Sequence, residues 1–189
     1  MTRYVALLRG INVGGQKLIK MEQLVRVLTA AGFRNVRTYI ASGNVIFDSR
    51  SVDTRSMTKR IENALKKEWG HEIAVILRKV SDLEKLVKLD PFKGGEAGVD
   101  LMLFVAFLRD PPARKPRLPL VSKTEKLEVI EIRYGAAFIE SHRKQTGWFG
   151  FPNNFVEKEL KTAATTRNWS TVKKIVLFAA KETKSHHPK

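Results

Sequence analysis

Residues 4–10, Tyr-Val-Ala-Leu-Leu-Arg-Gly, return almost unchanged as residues 104–110, Phe-Val-Ala-Phe-Leu-Arg-Asp. Three further segments repeat in the same order. They pair residues 43–49 with 135–141, residues 61–66 with 156–161, and residues 78–87 with 167–176. Ordered self-similarity at a roughly constant separation is expected when one supersecondary unit is written twice. The sequence therefore predicts an internal duplication.

Hydrophobic periodicity in the first half predicts six elements in the order β-α-β-β-α-β, which is the ferredoxin-like arrangement. Their predicted bounds are residues 3–9, 20–31, 36–40, 45–47, 56–69 and 73–77. The second half repeats this order, except that prolines 111, 112, 116 and 119 disfavour a long first helix. We predict an α+β fold of two ferredoxin-like units that pack as one globule. The predicted divisions are residues 1–92 with a linking helix, residues 99–182 with a C-terminal helix, and a tail at 183–189.

The charge of the chain points to an anionic partner. The 189 residues include 35 basic and 19 acidic side chains, a formal net charge of +16. Such an excess favours a nucleic acid, nucleotide, phosphorylated metabolite or acidic protein as partner, although a basic surface also serves solubility alone. There is no cysteine, which excludes disulfides and thiolate chemistry. The longest apolar run, Leu101–Leu108, is too short to span a bilayer, so we expect a cytoplasmic protein with no membrane partner.

Three motifs resemble those of a known group, the bacterial proteins classed as domain of unknown function 1697. They are residues 6–15, Ala-Leu-Leu-Arg-Gly-Ile-Asn-Val-Gly-Gly, followed by Ile19-Lys20-Met21; residues 38–45, Thr-Tyr-Ile-Ala-Ser-Gly-Asn-Val; and residues 164–172, Ala-Thr-Thr-Arg-Asn-Trp-Ser-Thr-Val. The resemblance covers nearly the whole chain and implies two intertwined ferredoxin-like units with no established activity. The chain departs from the commoner family pattern at residues 143–154, where an Arg-Ser-Lys-Leu-Thr segment is expected.

The glycine-bearing segment after the first predicted strand is the leading candidate for a binding site. Glycines let backbone N–H groups converge on a ligand, and the following helix start and lysines add positive charge. The segment is not a P-loop, because Gln16 stands where lysine is required and no Ser or Thr follows Lys17. It is not a dinucleotide fingerprint either, because the glycine pattern and the following acidic residue are missing. A tight turn that needs glycine for steric reasons is the alternative. The predicted ligand-binding residues here are Arg9, Asn12, Gly14, Gly15 and Lys17.

Two other segments supply the remaining site residues. Ser42 and Asn44 flank a glycine at a predicted hairpin turn, where they either form the turn or donate hydrogen bonds to a ligand. Arg167 can grip an oxyanion with two parallel hydrogen bonds, and Asn168 either joins it or caps the last helix. We expect Arg9 and Arg167 to lie close together, although a structural salt bridge is the alternative for Arg167.

The leading functional hypothesis is a binding protein for a small anionic or phosphorylated ligand, such as a nucleotide. The alternative is nucleic-acid binding through the basic surface, in which Arg143 and Lys144 with Trp148–Phe151 could stack bases, or else pack under their own loop. No catalytic residue can be assigned, because the sequence contains no recognisable nucleophile or base. The four histidines have no metal-ligand spacing, so we predict neither a metal nor a cofactor.

Overall fold

A computed structural model describes residues 1–12 and 18–181. Across these residues the protein is a mixed α+β fold with two antiparallel sheets and five helices. In chain order the elements are β1 Thr2–Leu8, α1 Met21–Ala30, β2 Arg34–Tyr39, β3 Asn44–Ser49, α2 Thr54–Trp69, β4 Val75–Lys79, α3 Val80–Leu89, β5 Leu101–Leu108, β6 Leu120–Ser122, β7 Leu127–Arg133, β8 Ala136–His142, α4 Asn153–Leu160, β9 Ala164–Asn168 and α5 Trp169–Ala180.

The chain divides into two compact units. The first contains residues 1–81 and the end of the chain from Lys174, and the second contains Asp82–Lys173. Helix α3 therefore belongs mostly to the second unit, and the later part of α5 belongs to the first. The predicted units, residues 1–92 and 99–182, divide the chain differently. They keep α3 with the strand before it in the first unit, and α5 with the strand before it in the second.

The first unit is built on a four-stranded sheet in the order β2-β3-β1-β4. Alternate residues of its strands face α1 and α2, and the most deeply buried include Tyr4, Leu24, Phe47 and Ile61. Helix α2 begins after Asp53, whose carboxylate accepts hydrogen bonds from two backbone N–H groups of the first turn. Such capping satisfies donors that have no partner inside the helix, so Asp53 fixes where the helix starts.

The second unit is built on a five-stranded sheet in the order β6-β7-β8-β5-β9. One face packs against α4 through residues such as Phe104, Ile139 and Val156. The other face carries Phe138, whose ring lies 5.9 Å from that of Phe92 and 6.3 Å from that of Trp169. No helix lies between β5 and β7, all of whose residues are described, and the short edge strand β6 occupies part of this proline-rich stretch. The prolines predict only that a long first helix is disfavoured, whereas the structure has no helix in this stretch.

Four strands of the second sheet repeat the order of the first, since β7-β8-β5-β9 corresponds to β2-β3-β1-β4. Backbone hydrogen bonds at equivalent positions of the two sheets also correspond. The Leu8 N–H donates to the Gly43 carbonyl at 2.8 Å, as the Leu108 N–H does to Gly135 at 2.9 Å. The next residues, Arg9 and Arg109, donate to the carbonyls of Ala74 at 2.9 Å and Ala163 at 2.8 Å.

Side-chain hydrogen bonds at the last strand of each unit also correspond. Glu62 of α2 accepts from the first N–H of β4 at 3.0 Å, and Glu157 of α4 accepts from the first N–H of β9 at 2.8 Å. Arg78 donates to the carbonyl of its preceding residue at 2.9 Å, and Arg167 does the same at 2.8 Å. The equivalences therefore extend from strand order to individual polar contacts.

Candidate functional site

Asn12 closes the base of the glycine-bearing segment. It has a left-handed backbone (φ 54°), which asparagine tolerates better than most residues. Its amide oxygen accepts from the Ile19 N–H at 2.7 Å, and its amide nitrogen donates to the carbonyls of Ile19 at 3.1 Å and Ala41 at 2.7 Å. The side chain predicted to meet a ligand is thus bonded to the backbone of its own unit. The predicted ligand residues Gly14, Gly15 and Lys17 lie outside the described residues.

The turn between β2 and β3 uses its polar side chains internally. Asn44 is fully buried and donates to the Tyr39 carbonyl at 3.1 Å and to the Ser42 hydroxyl at 3.0 Å. Gly43 has φ 77°, and a Cβ there would come within 2.8 Å of the Ile11 side chain. Positive φ and close packing together explain why glycine stands at this position. Both amide hydrogens of Asn44 are therefore used in shaping the turn.

Arg167 lies inside the second unit. Its guanidinium donates to the Thr165 hydroxyl at 2.9 Å and to the Thr166 carbonyl at 2.8 Å, and only 8% of the residue is exposed. Burial lowers the pKa of Arg167 to about 10, because a low-dielectric surrounding disfavours the charged form. The guanidinium still carries its charge at neutral pH.

A small cleft of about 210 Å³ lies beside Asn168 in the second unit. Its lining comprises Gly95, Glu96, Ala97, Met102, Leu103, Asn168, Trp169, Ser170 and Lys173. Asn168 thus faces a cavity at the start of α5. The other predicted residues Arg9, Asn12, Ser42 and Asn44 belong to the first unit, whereas Arg167 and Asn168 belong to the second. The combination of Arg9 with Arg167 in one site stays a prediction.

Another cleft, of about 280 Å³, lies in the first unit, and the sequence analysis did not predict it. We call it the arginine cleft, and its lining comprises Met1, Gly32, Arg34, Asp48, Ser49, Arg50, Ser51 and Arg60. Arg34 opens β2 and pairs in register with Asp48 of β3, Arg50 follows β3, and Arg60 projects from α2. Three guanidinium groups therefore line one cavity together with one carboxylate.

Asp48 is already neutralised within the unit. Arg3 donates to its two carboxylate oxygens at 2.8 and 3.2 Å, and Asn35 donates to one of them at 2.8 Å. Burial tends to raise the pKa of Asp48, but the hydrogen bonds from Arg3 and Asn35, with the charges of Arg3 and Arg37, outweigh it and leave the pKa below its ordinary value. The carboxylate therefore stays ionised and committed to Arg3, which leaves the charge of the cleft arginines uncompensated.

Arg60 is held in place without an acidic partner. Its guanidinium lies over the Phe33 ring, 5.2 Å from the ring centroid, and a cation over an aromatic face is attracted by the ring quadrupole. It also abuts Gly32, where a Cβ would collide with it. Within the described part of the chain, the guanidinium groups of Arg34, Arg50 and Arg60 form no hydrogen bond or ion pair. These are the groups left to meet a ligand.

Sequence reasoning missed the arginine cleft because its residues carry no motif. Arg34, Arg50 and Arg60 stand in three different elements or their flanks, and only the pairing of β2 with β3 and the packing of α2 bring them together. The available signal was the high content of basic residues in the first fifty positions, which indicates charge but not convergence.

The described residues contain no group of three or more acidic, histidine or cysteine side chains that could hold a metal ion. No helix among them is long and apolar enough to cross a membrane.

Comparison with known proteins places the chain among proteins without an assigned activity. A solved structure of a conserved bacterial protein from Streptococcus pneumoniae matches with a TM-score of 0.65 and 20% sequence identity, over 94% of this chain and 98% of that one. At this identity the likeness shows the fold alone. No curated protein matches the chain.

The family profile described as protein of unknown function (DUF1697) matches residues 1–138, which is most of the chain. The extent of this match and the three motifs quoted above lead to one conclusion: the chain belongs to the DUF1697 family.

Proposed function

We propose that the protein binds a small anionic or phosphorylated ligand, such as a nucleotide, in the arginine cleft of its first unit. The observation that carries the proposal is the set of three arginines whose guanidinium groups form no hydrogen bond or ion pair among the described residues. Arginine presents parallel N–H donors that match the oxygens of phosphate or carboxylate. Asp48 does not oppose such a ligand strongly, because its charge is balanced by Arg3 at 2.8 Å.

Thermal denaturation in the presence of phosphate or sulfate tests the proposal. A ligand that binds only the folded protein raises the melting temperature, and the rise grows with the logarithm of the ligand concentration relative to Kd. Arg60→Ala should remove most of the stabilisation. Arg26→Ala, at an exposed position on α1 outside the cleft, removes the same charge and should leave stabilisation nearly unchanged. Equal losses in both variants would reduce the effect to general charge and reject the site.

The glycine-bearing segment offers a second place for the same class of ligand. What supports it is Asn12, whose two hydrogen bonds with Ile19 join residues on either side of the segment. Lys17→Ala separates the two locations, because it should abolish anion-dependent stabilisation only if this segment forms the site. Arg167→Ala tests the same question for the second unit.

Nucleic-acid binding is a second candidate function, favoured by one specific observation. Trp148 is 77% exposed on a hairpin held by hydrogen bonds, including that from the Arg143 guanidinium to the Gly147 carbonyl at 3.1 Å. Exposed aromatic rings beside basic groups stack the bases of single strands. Trp148→Ala should then weaken oligonucleotide binding about tenfold, with Val121→Ala as a control at another exposed apolar position. Binding should also fall steeply with salt.

For the architecture, we propose that the two units are ferredoxin-like and arose by duplication of one βαββαβ unit. The repeated strand order and the paired hydrogen bonds of Glu62 and Glu157 support this proposal. The loss of the first helix in the second copy is explained by its prolines. We also propose a cytoplasmic location, where a chain without cysteine needs no oxidising compartment.

A further inference from the structure

The arginine cleft offers several N–H donors to the oxygens of an anionic ligand. Each guanidinium presents a fork of two parallel N–H groups toward an oxyanion. Three such forks therefore offer about six donors. A terminal phosphoryl group supplies three oxygens that each accept more than one hydrogen bond, so the donors of Arg34, Arg50 and Arg60 suit phosphoryl oxygens but do not by themselves set the number of phosphoryl groups.

The charge of the cleft indicates how many phosphoryl groups the ligand carries. Three positive groups line it, and its carboxylate, Asp48, is paired with Arg3. One phosphoryl group brings a charge of about −1.5 to −2 near neutral pH, which leaves a positive excess. Two linked phosphoryl groups come closer to balance.

The cleft arginines are positioned before a ligand arrives. The backbone of Arg34 is fixed opposite Asp48 in the β2–β3 ladder, and the guanidinium of Arg60 lies over the Phe33 ring and against Gly32. Groups carried on strands and helices bind with a smaller loss of conformational freedom than groups on free loops. This arrangement suits recognition of a ligand with a defined spacing of oxygens.

We infer that the ligand of the arginine cleft carries two linked phosphoryl groups, either as free diphosphate or as the diphosphate part of a larger molecule such as a nucleotide. The inference rests on the proposed function, since it names the ligand class of the same site. All three cationic side chains of the cleft are arginines, so recognition depends on the planar fork as well as on charge.

Calorimetric titration of the full chain with pyrophosphate and with orthophosphate, at matched ionic strength, tests the inference. Pyrophosphate should bind at least tenfold more tightly. Arg60→Lys keeps the charge but removes the fork, and should reduce that preference severalfold. Arg26→Lys makes the same change at an exposed position outside the cleft and should preserve it. A titration with ADP then distinguishes the sources, since tighter binding than pyrophosphate assigns the diphosphate to a nucleotide and weaker binding assigns it to the free anion.

The results of these titrations distinguish failure of the diphosphate inference from failure of the proposed function. If orthophosphate binds as tightly as pyrophosphate and both need Arg60, the cleft is an anion site and the diphosphate inference is overturned. A preference for pyrophosphate that survives Arg60→Lys also overturns it, because the second phosphoryl group would then be recognised elsewhere. If neither anion binds, the proposed function falls with it.

Discussion

Asp48 makes the stability of the first unit depend on pH. Its pKa is lower in the folded protein than the ordinary aspartate value near 4, so its stabilising contribution is present at neutral pH. That contribution starts to fall below about pH 4, where the unfolded carboxylate is protonated, and is lost as the pH falls through the lower pKa of the folded carboxylate. We expect Asp48→Asn to lower the free energy of unfolding by about 2 kcal/mol at pH 7, and by much less at pH 3. Urea denaturation at both pH values measures this difference, and a loss of equal size at pH 3 would contradict the linkage.

Asn12 is a residue for which donor and acceptor roles can be separated. Asn12→Asp keeps the oxygen that accepts from the Ile19 N–H but loses the two donated hydrogen bonds. Asn12→Gly keeps the backbone freedom that φ 54° requires and loses all three bonds. We expect a loss of about 1–2 kcal/mol for Asn12→Gly and more for Asn12→Asp, whose second carboxylate oxygen would face the carbonyls of Ile19 and Ala41, measured by urea denaturation. No loss in either variant would mean that the segment after Asn12 is not held by this side chain.

At the scale of residues, the sequence indicated which positions were unusual but not which groups their side chains would contact. Asn12 and Asn44 stood out as polar residues beside glycines, and both bond within the protein. The partners are backbone carbonyls of Ala41 and Tyr39, whose orientation depends on how the β2–β3 turn folds. A side-chain inventory cannot show that orientation, because any buried backbone group can serve as a partner.

At the scale of elements, Glu62 and Glu157 hold the first N–H of the last strand in their respective sheets. Both strand starts are buried, so the N–H groups of Val75 and Ala164 would lose their partners without these carboxylates. We expect Glu62→Ala and Glu157→Ala to cost about 1–3 kcal/mol each. The matching glutamine variants keep an acceptor oxygen and should cost less. Hydrogen exchange at Val75 and Ala164 reports the loss locally, and unchanged exchange in the alanine variants would contradict it.

Most elements could be predicted because their hydrophobic periods are clear. The repeat of residues 4–10 at 104–110 lies on β1 and β5, which occupy equivalent places in the two sheets. The short strand β6 could not be predicted, since its three residues carry no period of their own. The arginine cleft could not be predicted for a different reason. Arg34, Arg50 and Arg60 converge through sheet pairing and helix packing, which no local stretch of the sequence encodes.

At the scale of the whole molecule, the end of α5 completes the first unit. The Phe178 ring lies 5.2 Å from the ring of Tyr39, and the Arg37 guanidinium lies 4.8 Å from the Phe178 ring centroid. Burial, followed by the charge of Arg3, lowers the pKa of Arg37, so the ring lies against a partly desolvated cation. Arg3 also donates to the carbonyl of Ala179 at 2.6 Å.

This arrangement predicts a contrast between neighbouring residues. Phe178→Ala removes a ring that packs in the first unit and should cost about 2 kcal/mol, less than a fully buried phenylalanine because the residue is half-buried. Leu177→Ala alters a side chain that is 66% exposed and should stay within about 0.5 kcal/mol of the parent. Chemical denaturation followed by circular dichroism compares the two. Equal effects would show that the helix end adds nothing specific.

The split of α5 between units sets an order of events on the ribosome. Arg3, Arg37 and Tyr39 are made early, yet the helix end that they contact emerges only after the entire second unit has been synthesised. At about 5–20 residues per second, synthesis of the second unit, Asp82–Lys173, takes roughly 5–20 seconds, and the helix end is made only after that time. Throughout this interval the nascent amino-terminal half carries an unfinished surface, and a chain cut short by premature termination never acquires the piece that covers it.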